Sequence, residues 1–85
     1  MSTPSREALV RALGDAAVAH HDYEKLVLGG QRDERWPGFY GAYALGRLGD
    51  FAPPSALSRW LEEAPVREDW SASVAEYVLE RLKEE

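Results

Sequence analysis

Cysteine is absent from the 85-residue chain. That excludes disulfides, thiolate chemistry and cysteine-ligated zinc together, and it fits a reducing, cytoplasmic setting. Basic residues are in deficit: ten Lys and Arg stand against fifteen Asp and Glu, a formal net charge of −5. Nucleic-acid binders carry a basic patch or stripe, whereas the cations here are scattered, so no nucleic-acid partner is expected. The same deficit disfavours an anionic lipid surface. Long apolar runs are missing too, so no span of a bilayer is expected. Met1 to Pro4 show no basic segment leading into an apolar one, the mark of a signal peptide.

What is present is ordinary globular material. Hydrophobic residues make up 45% of the chain and charged residues 29%, too apolar for disorder by composition. Three Trp, four Tyr and two Phe supply bulky core material. The length is that of one domain, whose modest core makes oligomerisation a ready source of stability.

The spacing predicts an all-α chain of four helices. Thr3 and Pro4 suit an N-cap and first turn. Leu9, Leu13, Ala16, His20, Tyr23 and Val27 then follow at three- and four-residue intervals, one face of a helix. Gly29-Gly30 is a helix stop. A second helix is expected to open between Asp33 and Pro37 and to run to about Leu48. It carries Gly38, Gly41 and Gly46, which predicts close approach of a neighbour, because each glycine costs about 1 kcal/mol against alanine. Pro53-Pro54-Ser55 opens a third helix bearing Leu57, Trp60 and Leu61, and Pro65 ends it. Asp69 can cap a fourth, with Trp70, Val74, Tyr77 or Val78, and Leu82 along its stripe and fraying over Lys83 to Glu85.

An internal repeat underlies this pattern. Trp36-x6-Tyr43-x-Leu45-x-Arg47-Leu48 recurs as Trp70-x6-Tyr77-x-Leu79-x-Arg81-Leu82. Upstream, Ala8-Leu9-x-Arg11-x-Leu13-x-Asp15-Ala16 matches Ala56-Leu57-x-Arg59-x-Leu61-x-Glu63-Ala64. The expected architecture is one domain over residues 1–85, four-helix-bundle-like, with a first hairpin over 1–50 and a second over 51–85. A short amphipathic hairpin cannot bury its apolar face alone, and two facing hairpins can. A tetratricopeptide-like pair is the alternative; the offset fits but the pattern of small residues and proline does not.

Few residues carry chemistry. On a helix His20 and Glu24 sit one turn apart, a spacing that can present two ligands to one metal, with Asp33 and Glu34 within reach from the connector. The ordinary alternative is a hydrogen-bonded histidine on the apolar stripe, with His21 and Asp22 in solvent. No metal site, cofactor or catalytic residue is assigned: the paired Glu-x-x-His of di-iron bundles is absent, and no nucleophile or phosphate loop is specified. Trp36, Phe39, Tyr40 and Tyr43 span two faces of the second helix, so part of this set packs inside and the rest can meet a partner. The candidate ligand or interaction residues are therefore His20, Glu24, Asp33, Trp36, Tyr40 and Tyr43.

Residues Ala19 to Leu45, AHHDYEKLVLGGQRDERWPGFYGAYAL, resemble a motif of small bacterial proteins: A-H-x-x-Y-E, a glycine-containing spacer, then R-D-x-x-W-P-x-[WF]-Y-A-x-Y. Gly41 departs from it, standing where the motif has alanine. The resemblance covers about a third of the chain. It implies a short helical domain, sometimes found beside glyoxalase-like domains, and it implies no activity. It singles out His20, Glu24, Asp33 and Trp36.

Three functions remain. The first is a non-enzymatic interaction domain with a protein partner or a second copy of itself. The second is a small-ligand or metal-binding module at His20 and Glu24. The third is an acidic protein that docks on a basic partner.

Overall fold

The computed structural model describes residues 3–84 and is all-α: α1 (Arg6–Leu26), α2 (Trp36–Leu48), α3 (Pro54–Glu63) and α4 (Trp70–Glu84). The helices pack in a ring, α1 on α2, α2 on α3, α3 on α4 and α4 back on α1. Asp15 meets Arg47 and His20 meets Tyr40, so α1 and α2 run antiparallel. Arg6 meets Glu76 and Gly14 faces Ser71, so α1 and α4 are antiparallel as well.

Local chemistry sets the ends. Ser5 caps α1, its Oγ accepting the Ala8 amide at 3.1 Å; the cap expected at Thr3 is displaced two residues. Ser and Thr cap comparably, and the spacing of the apolar stripe does not choose between them. Gly29 and Gly30 adopt φ of +63° and +89°, and the Gly30 amide donates to the Glu24 carbonyl at 2.8 Å, as a glycine stop should. Pro37 lies in the first turn of α2 and Pro54 in that of α3, where a missing amide hydrogen costs nothing. Phe51 and Ala52 are buried and pin the α2–α3 connector. At the other terminus α4 continues through Lys83 to Glu84; the third residue of the expected frayed end, Glu85, lies outside the described residues.

Leu9, Leu13, Leu57, Leu61, Val74 and Val78 are fully enclosed, with Trp60 almost so. Each such side chain contributes about 1.5–3 kcal/mol. Of the three α2 glycines only Gly41 is at a close approach. A Cβ there would stand 3.3 Å from Ser58 Oγ and 3.8 Å from Leu57, whereas at Gly38 and Gly46 it would meet nothing within 4 Å. The stripe of α1 also ends earlier than its spacing predicts, since Val27 is 65% exposed. With 21 residues, α1 is far longer than α2 with 13 and α3 with 10, and its last residue, Leu26, is exposed.

Candidate functional site

His20 is the buried polar side chain of the described core, 6% exposed. It lies on the inner face of α1, one turn beyond Ala16, and faces the start of α2. Its Nε2–H donates to Asp33 Oδ2 at 2.9 Å, because an ionised carboxylate is acceptor only and the imidazole must supply the proton. The other ring nitrogen, Nδ1, is 3.9 Å from Glu24 Oε1, too far for a hydrogen bond. Glu24 Oε2 instead accepts the backbone amide of Asp33 at 2.8 Å. Asp33 Oδ1 accepts the amide of Arg35 at 2.9 Å, a local turn that leads into α2.

The electrostatics follow from this geometry. The hydrogen bond from His20, seconded by the Arg35 amide, holds the Asp33 carboxyl below its ordinary 3.8, against the opposing effect of partial burial. Burial pushes the Tyr40 phenol above its ordinary 10.0, and the nearby charge of Glu24 pushes the same way.

Aromatic rings enclose the imidazole. Phe39 is edge-on to it at 4.9 Å between centroids, with Tyr40 at 5.2 Å and Tyr23 at 6.3 Å. The cluster continues from Tyr40 to Trp36 (5.4 Å) and Trp70 (5.2 Å), and the two tryptophans meet at 6.1 Å. Such pairs contribute about 0.5–1.5 kcal/mol each beyond their burial.

Five of the six candidate residues thus come together: His20, Glu24, Asp33, Trp36 and Tyr40. Tyr43 does not join them. Its hydroxyl accepts from Arg47 Nη2 at 2.8 Å, and the same guanidinium bonds Asp15 of α1, so it serves as an outer brace between α1 and α2. Phe39 and Tyr40 are both half-buried, and both rings lie against His20. Trp70 was not foreseen in the cluster, although the repeat pairs it with Trp36. Leu26, 79% exposed, and Val27 were not foreseen as surface features either; the stripe alone carries no sign of where its cover stops.

Glu24 and Asp33 lie against different ring nitrogens of His20, so their oxygens flank the imidazole and do not converge on one point. Among the described residues no three His, Asp or Glu side chains are arranged to hold a metal ion, and no buried side-chain nitrogen or oxygen lacks a partner. Nε2 of His20 is satisfied by the site's own Asp33. An open cleft of about 820 Å³ lies elsewhere, between Arg6 on α1 and Arg67, Asp69 and Glu76 around the start of α4. No helix among the described residues is long and apolar enough to cross a membrane. Comparison with protein-family models, with curated proteins and with solved structures finds no match.

Proposed function

We propose that the chain is a non-enzymatic protein-interaction domain whose docking surface is the C-terminal end of α1. The observation that carries this reading is the pair Leu26 and Val27, 79% and 65% exposed. They stand one turn beyond the half-buried Tyr23, whose ring packs on Phe39 at 5.3 Å. Apolar surface left in water forgoes about 25 cal/mol per Å², and a partner that covers it recovers that energy. Exposed aliphatics beside rigid aromatics suit a docking surface. The net charge of −5 favours a basic partner on approach. A small-ligand or metal role at His20 and Glu24 is the weaker reading, because Nε2 is committed to Asp33.

The duplication belongs to the same proposal. What supports it is one arrangement repeated in each hairpin: Arg47 donates to Tyr43 and Arg81 to Tyr77, at 2.8 and 2.7 Å. The carboxylates Asp15 and Glu63, matched in the repeat, join the two pairs from the preceding helices. A cytoplasmic location and kinship with the small bacterial helical proteins rest on composition and motif, and stay part of the proposal.

The test is light scattering coupled to size exclusion on the wild type and on Leu26→Lys/Val27→Lys, with pull-down by each as bait. Both residues are exposed, so the double variant keeps its melting temperature. A wild-type dimer that the variant loses, or a defined partner held by the wild type and released by the variant, supports the reading. A wild-type monomer that retains nothing the variant does not also retain refutes it.

A further inference from the structure

Beyond the glycine stop, whose Gly30 amide still bonds the Glu24 carbonyl, the connector after α1 is tied down at one residue, Asp33. Gly29 and Gly30 both have left-handed φ, and a Cβ on either would meet nothing within 4 Å. Gln31, Arg32, Glu34 and Arg35 are exposed, and Arg32 pairs only locally with Glu34, at 3.9 Å. Among the described residues, Asp33 is the one member of the stretch 31–35 that hydrogen-bonds to α1. Its carboxylate takes the His20 Nε2–H and its amide reaches Glu24. That carboxylate covers the outer ring nitrogen, whereas Phe39 and Tyr40, which face the ring, belong to α2.

We propose that residues 29–35 form a strap, hinged at Gly29-Gly30 and latched by Asp33, which opens while the four helices stay packed and so bares Nε2 of His20. Segments with few buried contacts open at a small fraction of the global free energy. The strap has three hydrogen bonds to α1, two at Asp33 and one from the Gly30 amide at the hinge, and no enclosed apolar side chain. The helices beneath it are joined through Leu9, Leu13, Leu57, Leu61, Val74 and Val78, all fully enclosed. Glycine makes the hinge easy, because it passes between left- and right-handed φ without a side-chain clash. With the strap closed, Nε2 is spent on an internal carboxylate. With it open, Nε2 joins Nδ1 in having no hydrogen-bond partner, on a histidine still flanked by Glu24, and an exposed imidazole can bind a ligand. The strap is thus an autoinhibitory cover. This inference does not depend on the docking surface at Leu26 and Val27.

Native-state hydrogen exchange on the wild type in low denaturant tests it, together with diethyl pyrocarbonate acylation read at His20. His21, exposed and adjacent, is the internal reference. The Asp33 and Arg35 amides should exchange far faster than those of Leu57 and Val74, with a rate insensitive to denaturant. Acylation of His20 should be slower than that of His21 and equally insensitive. Asp33→Ala should raise the His20 rate about ten-fold or more while the Val74 amide stays protected. Strap amides that exchange with the denaturant dependence of the core overturn the proposal. So does an unchanged His20 rate in Asp33→Ala, or loss of core protection in that variant, since either makes the latch part of the global fold.

Discussion

The glycines of α2 give a quantitative check on how closely α2 and α3 approach. Replacing Gly46 by Ala adds a methyl group in open space and removes a helix-interior glycine, worth up to about 1 kcal/mol. Position 46 is two residues from the end of α2, so a gain of about 0.5–1 kcal/mol is expected. For a domain of this size that raises the melting temperature by roughly 2–8 °C. Gly41→Ala brings the same propensity gain, but its Cβ would sit 3.3 Å from Ser58 Oγ. Ser58 must turn from its rotamer, at about 0.5–1.5 kcal/mol, so the net change should be near zero. Leucine sharpens the contrast, because its helix propensity is close to that of alanine. Gly46→Leu should remain neutral or stabilising. Gly41→Leu must push against Leu57 as well and should destabilise by about 1–3 kcal/mol, the usual cost of overpacking. Urea denaturation of the four variants, compared at constant m-value, reads these differences. If Gly41→Leu proves as stable as Gly46→Leu, α2 and α3 do not meet at this point and the packing described here is wrong.

Two predictions concern pH. The Asp33 carboxyl is depressed in the native state, so its ionisation stabilises the fold above the ordinary value of 3.8, and that contribution is lost as pH falls through the lower native value. Melting temperatures from pH 5 to pH 2 should therefore fall less steeply in Asp33→Asn than in the wild type, and parallel curves would contradict the latch. Tyr40 behaves in the opposite sense: its native value is raised above 10.0, so stability is complete below pH 10 and declines above it as the unfolded chain loses the proton first. Absorbance titration near 295 nm should lose a late-ionising component in Tyr40→Phe.

The helices and their ends were largely legible in the residue order. The three-four spacing of Leu9, Leu13 and Ala16, the Gly29-Gly30 stop, and the prolines at 37, 54 and 65 act within a few residues, and local chemistry of that kind survives any tertiary arrangement. The four helices and the absence of strands among the described residues follow from it. Placing His20 on the apolar stripe likewise pointed to a buried, hydrogen-bonded histidine.

The tertiary structure decided what depends on neighbours distant in sequence. Asp33 reaches His20 across a turn whose path is set by two left-handed glycines, and no pattern in the intervening residues encodes that path. Gly41, and not Gly38 or Gly46, is pressed by α3, because only its position faces Ser58 once the ring of helices closes. Trp36 and Trp70 meet because closure of the ring brings the starts of α2 and α4 to the same end. Val27 lies bare because α1 outruns its neighbours, and helix periodicity records which face is apolar without recording how far along it a partner extends.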